Sequence, residues 1–233
     1  WSRTESLAPG FNRLYIAAHD NTGAILTNLI QDVVYEVNAQ HVGGTISANT
    51  FWTNRNEVIH VTTNVSVVNG ATLEIGLDAI TILSPGVSVT AVTNSSITSI
   101  GNELTRAYFL PTGSNAWGGL TANGANSSLT IRNADVVSGQ VRLLNGGTLL
   151  LEDMTIRDLP DLGGEVIEAV NGAALTMRRV YMTRFAEGDS QNTPVLVEDC
   201  LLEGFLVDGL DIKATNSPLV VRGTRLRKAD PNN

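Results

Sequence analysis

The chain has 233 residues, which is enough for one or two domains with a sizeable core. Only 16% of the residues are charged, and 15 Lys and Arg stand against 23 Asp and Glu, a net charge of −8. This balance argues against a disordered tail, a coiled coil and a nucleic-acid partner, since phosphates need basic surfaces. No apolar run approaches the roughly 18 residues of a membrane span, so we expect no membrane insertion.

Metal and cofactor chemistry has few candidate residues. The one cysteine, Cys200, excludes an internal disulfide and a Cys-based zinc site. His41 and His60 have no third ligand nearby in the sequence, so we expect no metal and no cofactor. One acidic group, otherwise best explained as solvated loop residues, is an alternative calcium site and consists of Asp189, Asp208 and Asp211.

The first forty residues differ in character from the rest. Residues 7–37 predict a strand, a turn at residues 20–23 and a second strand, which together form a hairpin. Further along, Leu73, Ile75 and Ile80 have the apolar spacing of a repeated strand template. Residues 90–125 fit the template more loosely. We expect a coil with a long insertion there, and loops of this size often carry function.

From residue 129 onward a pattern recurs five times, with apolar residues at its first, third, sixth and eighth positions. The copies begin at Leu129, Leu149, Leu175, Val195 and Leu219. Their spacings of 20, 26, 20 and 24 residues suit a parallel β-helix, because each corner loop can lengthen without disturbing the stacked strands. Leucine-rich repeats need an Asn or Cys at a fixed place that is missing here. The repeats predict about seven to nine coils, right-handed by base rate.

The repeat alignment places similar residues above one another. We expect the first, third, sixth and eighth positions to point inward, with a two-residue corner between them. The inward columns are then apolar except at Thr224, and Cys200 is a buried, inert thiol in the same column as Thr224. A further bulky column is predicted at Leu159, Phe185 and Phe205. The fourth position alternates in sign through Arg132, Glu152, Arg178, Glu198 and Arg222. Opposite charges about 4.8 Å apart attract, so we predict a ladder of ion pairs between coils.

Several segments resemble known families. The segment LAPGFNRLYIAAHDNTGAILTNLIQDVVYEV is similar to the last hairpin of a bacterial immunoglobulin-like domain, in which a Pro-Gly-x-Asn strand precedes Asp-x-x-Gly. The segments VSVVNGATLEIGLDAITIL and AWGGLTANGANSSLTIRNADV resemble the first coils and the Trp-Gly-Gly coil of secreted right-handed β-helix proteins, which often occur beside modules resembling spore-coat kinases or lamin tails. The resemblance implies an all-β, right-handed parallel β-helix over residues 41–233, headed by an immunoglobulin-like hairpin over residues 1–40.

The incomplete immunoglobulin-like segment leaves three alternatives. A full sandwich needs about seven strands and ~100 residues, so most of it is absent. Either the chain is trimmed from a longer precursor, or the hairpin caps the first coil, or it completes a sheet in a neighbouring molecule by strand addition. The final coil is followed by too few residues for a helical cap, and uncapped coils invite edge pairing. We therefore predict end-to-end self-association.

Composition also bears on location. The chain is rich in Thr, Ser, Asn and Gly and poor in Lys, as bacterial secreted proteins are, and it begins at Trp1 without a targeting signal. We expect a mature chain or a fragment that is secreted or lies at the cell surface. Formal glycosylation sequons begin at Asn64, Asn94 and Asn126, and sequons this short also arise by chance.

Two carbohydrate sites are alternatives to a purely structural role. β-Helix enzymes that act on polysaccharides place carboxylates, or a carboxylate with a basic residue, on one outer face of adjacent coils. Asp153, Arg178 and Asp199 fit that description, although a structural salt-bridge ladder accounts for the same positions. Tyr108 and Trp117 are aromatic candidates for a sugar-binding surface, and Trp117 could equally plug one end of the coil stack.

The sequence favours a non-catalytic structural or adhesive module outside the cell, which assembles end to end into fibres. The runner-up is a polysaccharide hydrolase or lyase, and the third hypothesis is a passive carbohydrate-binding module. The expected partners are further copies of the chain and, as an alternative, a polysaccharide.

Overall fold

The computed structural model describes residues 4–36, 38–53, 58–157, 166–183, 187–203 and 211–227, with side chains for all of these except residues 187, 188 and 211–213. Every regular element in these ranges is a β-strand, so the predicted all-β class is confirmed. A search of the same ranges finds no helix with the length and apolarity of a membrane span.

The chain opens with an antiparallel hairpin of β1 (Gly10–His19) and β2 (Ile25–Tyr35). A parallel β-helix of about seven turns follows, and its predicted fold is confirmed, while its right-handed sense stays a prediction. Each coil contributes one strand to each of three faces, which we name A, B and C in chain order. The first long strands, β3 (Ala39–Ile46) and β5 (Val58–Val67), pass around the corner from face C to face A.

The remaining strands belong to one face each. Face A contains β8 (Ser88–Val92), β11 (Trp117–Asn123), β14 (Gly139–Leu144), β17 (Ile167–Val170), β20 (Glu187–Gln191) and β23 (Asp211–Thr215). Face B contains β4 (Thr50–Trp52), β6 (Thr72–Ile75), β9 (Ser96–Ser99), β12 (Ser128–Arg132), β15 (Thr148–Glu152), β18 (Ala174–Arg178), β21 (Val195–Glu198) and β24 (Leu219–Arg222). Face C contains β7 (Ile80–Leu83), β10 (Ala107–Pro111), β13 (Ala134–Val137), β16 (Thr155–Arg157), β19 (Tyr181–Met182), β22 (Leu201–Glu203) and β25 (Arg225–Arg227).

The predicted stacking of the repeats is confirmed. Leu149 pairs with Leu175 in adjacent parallel strands, and Glu152 pairs with Arg178. In the first four copies all four inward positions are at most 6% exposed, so the coil interior is dry and apolar. Cys200 lies in one of these columns and is buried. The bulky column predicted at Leu159, Phe185 and Phe205 lies outside the described residues.

Left-handed backbone conformations turn the chain at the corners. At the corner between faces B and C, the fifth residue of each copy has a φ between 47° and 61°. One residue in this conformation reverses the strand alternation, so that side chains on both sides of it point inward. These residues are Asn133, Asp153, Arg179, Asp199 and Gly223. Asn, Asp and Gly tolerate this conformation well, whereas Arg179 departs from that preference.

Asparagine takes the same role at the corner between faces A and B. Seven asparagines there have a φ between 51° and 61°: Asn69, Asn94, Asn126, Asn145, Asn171, Asn192 and Asn216. Their side chains link coils, since the Asn126 amide donates to Asn94 Oδ1 at 3.0 Å and the Asn192 amide donates to Asn171 Oδ1 at 2.8 Å. Asparagine therefore serves these corners in two ways: it tolerates the left-handed conformation, and its side chain forms hydrogen bonds between neighbouring coils.

Residues 90–125 form a coil of the stack, as expected, and the inserted length is confined to a connection between strands. β9, β10 and β11 pair in parallel with the strands of the neighbouring coils on their respective faces. The excess length lies in the connection 100–106, where Asn102 Oδ1 accepts hydrogen bonds from the backbone of Leu104 and Thr105. A compact turn of this kind lengthens the spacing between repeats without breaking the strand ladder.

The hairpin lies against the outer surface of face C and does not cap the first coil. The Phe11 ring stacks on Tyr108 with centroids 4.2 Å apart and planes 15° apart. Asp32 pairs with Arg13 across the hairpin and with Arg157 at the end of β16. Outward apolar side chains beneath the hairpin form a second buried cluster, made of Val58, Ile80, Ile82, Leu110 and Val137.

The last described coil differs from those before it. Leu219, Val221 and Leu226 occupy inward columns, yet they are 37%, 47% and 54% exposed. The preceding coil holds Val195, Val197 and Leu202 at 6%, 3% and 2% in the same columns. The inward columns of this coil are therefore exposed on the side that no described coil covers.

Replacing Leu151 with Ala tests this core. Leu151 is fully buried at mid-stack, so we expect a loss of about 2–5 kcal/mol in the free energy of unfolding. Leu150→Ala is the matched control, since its half-buried side chain points outward from the same strand, and we expect a loss of about 1 kcal/mol or less. Urea unfolding followed by circular dichroism measures both, and equal losses would contradict the inward assignment.

Candidate functional site

The outer corner between faces B and C collects most of the candidate charged residues. The fourth residue of each copy ends a strand of face B and points outward, and the fifth lies in the corner itself. Parallel pairing holds neighbouring coils about 4.8 Å apart, so side chains at equivalent positions are within reach of one another. The corner is therefore a continuous column of acidic and basic groups.

Ion pairs run along this column. Arg132 Nε donates to Glu152 Oε2 at 2.9 Å, and two arginines hold Glu198: Arg178 Nε at 3.0 Å and Arg222 Nε at 2.7 Å. Between Glu152 and Arg178 the strands are in the expected register, but Glu152 Oε1 accepts from Arg179 at 2.9 Å instead. Arg179 therefore takes the place of Arg178 in the ion pair with Glu152.

Asp153 and Asp199 are separated by an arginine. Asp153 receives two hydrogen bonds from Arg179, at 2.6 Å from Nε and 2.8 Å from a terminal nitrogen. Asp199 lies two coils from Asp153, about 9.6 Å along the stack. Its Oδ1 lies beside Gly223, only 2.0 Å from the position that a Cβ on this glycine would take. Arg178 belongs to the coil between them and is held by Glu198. The three candidate residues therefore share one corner, with the carboxylates kept apart.

The electrostatics of the corner favour ionised carboxylates. The hydrogen bond from Arg179 lowers the pKa of Asp153 below its ordinary value of 3.8. The hydrogen bond from Arg222, supported by the charge of Arg178, lowers the pKa of Glu198 below 4.5. A general acid at neutral pH needs a raised pKa, so neither group is prepared to donate a proton.

The two aromatic candidates lie elsewhere. Trp117 is 1% exposed in the middle of the coil stack, and its indole Nε1 donates to the carbonyl of Val137 at 2.7 Å. Gly139 on the next coil makes room for the ring, since a Cβ there would lie 2.2 Å from it. Tyr108 is half-buried under the hairpin with Phe11 on its face, and burial is the main cause that raises its pKa. The Trp117 ring is closed to a sugar, and that of Tyr108 is partly covered.

A cleft lies beside the hairpin, and the sequence did not predict it. It has a volume of about 850 Å³ and lies between β2 and the outer surface of face C. Its apolar walls include Ile30, Ile82 and Leu110, and its polar rim includes Asp32 and Arg157. Burial opposes the charge of Asp32, but hydrogen bonds from its two arginines outweigh burial and lower its pKa. The signal for this surface was in β7, where Ile80 and Ile82 lie on the outward side and Leu83 on the inward side, because a strand with apolar residues on both sides is covered on both sides.

The described residues contain no group of three His, Cys, Asp or Glu side chains that could hold a metal ion. The His41 and His60 rings lie 5.1 Å apart on neighbouring coils. Asp208 and the side chain of Asp211 lie outside the described residues, so the calcium site with Asp189 stays a hypothesis. Burial raises the pKa of the Cys200 thiol, which suits an inert core residue.

The sequon asparagines take part in hydrogen bonds of the fold. Asn64 Oδ1 accepts from the backbone of Ser88 at 2.9 Å, and the Asn94 and Asn126 side chains bond to each other. A glycan on Asn126 would use the nitrogen that now donates to Asn94. Glycosylation of Asn126 would therefore carry a structural cost at the corner.

Replacing Glu198 with Gln tests the electrostatics of the ladder. Because the folded-state pKa of Glu198 lies below its unfolded value, its stabilisation is complete above about pH 4.5 and is lost as pH falls through the folded-state pKa. At about pH 7 we expect the variant to have a lower melting temperature than the wild type, and at about pH 2 we expect the two melting temperatures to be equal. Glu103→Gln, in an exposed connection, is the control and should melt with the wild type throughout. A deficit that is independent of pH would contradict the ionic role.

Comparison with known proteins finds no relative of this chain. No family model, no curated protein and no solved structure matches the chain. The relation of the hairpin to bacterial immunoglobulin-like domains, and of the coils to secreted β-helix proteins, therefore stays a prediction. The function of the chain has to be argued from its own surfaces.

Proposed function

We propose that this protein is a non-catalytic structural or adhesive module, secreted or displayed at a bacterial cell surface, whose coil stacks assemble end to end. The observation that carries the proposal is that arginines bind three of the four corner carboxylates, Glu152, Asp153 and Glu198. Glu152 and Glu198 each bind two arginines, and Asp153 binds Arg179 through both oxygens. These groups hold coils together and leave little free carboxylate to act on a substrate.

Catalysis at this corner meets two further obstacles. Glycosidases of the inverting type place two carboxyl groups about 6.5–9.5 Å apart around a water, and those of the retaining type about 5–5.5 Å apart. Asp153 and Asp199 are two coil steps apart, about 9.6 Å between backbones, which exceeds the retaining spacing and lies at the upper limit of the inverting one. The coil between them also contributes Arg179 to the space. A hydrolase or lyase built on Asp153, Arg178 and Asp199 is therefore the weaker candidate.

The exposed apolar residues of the last described coil support end-to-end assembly. Register relations along face B place Leu219, Val220 and Val221 in the same columns as Thr50, Phe51 and Trp52. Val220 and Phe51 both point outward and are 51% and 54% exposed. A second copy stacked on the last described coil would continue the three parallel faces and set Val221 over Trp52. Because Trp52 is already 4% exposed in one copy, the burial gained falls mainly on Leu219 and Val221. This is a heterologous contact, which repeats into a fibre.

Val221→Asp tests end-to-end assembly. A charge in the exposed apolar column leaves the described coils intact but opposes the burial that stacking requires. We expect the wild type to form particles longer than the roughly 35 Å of one stack, seen by electron microscopy, and the variant to lose them. Leu104→Asp is the control, because Leu104 is 93% exposed in a side connection. A wild type whose mass by light scattering is constant with concentration would contradict the assembly.

Incubation with a panel of neutral and acidic polysaccharides tests the absence of catalysis. We expect no release of oligosaccharides by the wild type, since arginines hold Glu152, Asp153 and Glu198 and leave Asp199 without a second free carboxylate at the corner. Release that is lost in Asp199→Asn and kept in Glu103→Gln would overturn the non-catalytic proposal. Binding to a glycan surface without product would agree with an adhesive role.

A further inference from the structure

Two of the three histidines of the chain lie in register on neighbouring coils. His41 of β3 is the Cα partner of His60 of β5, and the centroids of their imidazole rings are 5.1 Å apart. Both side chains point outward, since the residues on either side of His60, Ile59 and Val61, belong to the buried interior. The coil stack therefore holds two imidazoles side by side on the outer surface of face C.

The separation of the two rings suits a metal ion that is bound to both of them. Zinc bonds an imidazole nitrogen at about 2.0–2.1 Å, and that nitrogen is about 1.1 Å from the centre of its ring, so the ion lies about 3.2 Å from each centroid. With centroids 5.1 Å apart, the angle between the two bonds at the ion is about 105–110°. This angle is close to tetrahedral, which is the coordination that zinc adopts in most protein sites.

The surroundings of each ring allow one nitrogen to face the ion. Ser84 Oγ lies 3.5 Å from His60 Nε2, so a hydrogen on Nε2 is directed to Ser84 and the lone pair is left on Nδ1. Metal-binding histidines are commonly oriented by such a partner on their second nitrogen. His41 is exposed, and the torsion that turns a histidine ring has a broad energy minimum, so this ring is able to turn toward the same point.

The electrostatic environment favours a cation and admits water. His60 lines the cleft of about 850 Å³ beside the hairpin, which gives an ion and its water ligands access to the ring. Glu36 lines the same cleft, and the positive charge of Arg157 there is paired with Asp32. The chain as a whole has a net charge of −8, and a negative potential raises the local concentration of cations.

We propose that His41 and His60 bind a zinc ion between the first two coils. The ion takes two imidazole nitrogens from the protein and completes its coordination with water, so it exchanges with solvent, unlike a closed structural zinc. The sequence led us to expect no metal, because the two histidines are 19 residues apart without a third ligand nearby. Parallel pairing brings them together, and the ion would link β3 to β5, the strand with which β3 pairs.

Zinc titration of the chain without an added histidine tag tests the site. We use the Val221→Asp background, in which end-to-end contacts are blocked, and expect calorimetry to show one zinc ion bound per chain. Magnesium should not bind at the same concentrations, because it prefers oxygen ligands to imidazole. His41→Ala and His60→Ala should each weaken zinc binding at least about tenfold, since each removes one of the two protein ligands.

His19→Ala is the matched control, because His19 is the third histidine of the chain. It lies in the hairpin, with Nδ1 3.0 Å from the carbonyl of Gly23, and its replacement should leave zinc binding unchanged. A background protein that binds no zinc, or one whose affinity survives both His41→Ala and His60→Ala, would overturn the site. Light scattering should give the same mass with and without zinc, and a doubled mass would show that the ion bridges two copies instead of two coils.

Hydrogen exchange of the backbone amides of β3 provides a second readout. At a free zinc concentration ten times the dissociation constant, we expect these amides to exchange about tenfold more slowly, because opening of β3 has to break the site. Amides of β14, at mid-stack, should be unaffected, and equal exchange of β3 with and without zinc would overturn the link between the coils. Fibre formation by the wild type is measured without zinc, so failure of the zinc site leaves the test of end-to-end assembly intact.

Discussion

The vertical spacing of the coils constrains everything else in this molecule. Parallel backbone hydrogen bonds set each residue about 4.8 Å above its counterpart in the next coil, so a side chain always meets the same position of its neighbour. Inside, this requirement selects columns such as Ile131, Leu151 and Met177, which are at most 4% exposed. Outside, it selects alternating charge, because like charges at this spacing would repel along the whole stack.

The same spacing bears on the choice between a scaffold and an enzyme. A β-helix places two carboxylates within working distance when they lie on neighbouring coils. Here each acidic coil of the corner is followed by a basic one, so Asp153 faces Arg179 and Glu198 faces Arg222. Acidic residues in place of Arg178 and Arg179 would have set acids on neighbouring coils and raised their pKa values. The order that is present produces lowered pKa values at Asp153 and Glu198 and a cohesive corner.

The periodic features could be predicted from the sequence, and the features that break the period could not. The columns from Leu129 onward and the pairing of Glu152 with Arg178 follow from repeat alignment. The hairpin contacts do not, since Asp32 and Arg157 are 125 residues apart and neither belongs to a column that reports the other. Trp117 is accommodated because Gly139 leaves space on the next coil, a compensation between two residues that no apolar pattern records. The connection 100–106 concealed one coil by lengthening its spacing.

The hairpin depends on the coil stack for part of its burial. Its base is stable because the outward residues of face C, Ile80 and Leu110 among them, give it the layer that a two-stranded ribbon lacks. Its end near the turn keeps apolar side chains such as Leu26 and Ile30 in water. A two-stranded ribbon without a second layer is only marginally stable, so the stability of the hairpin falls from its base toward its turn.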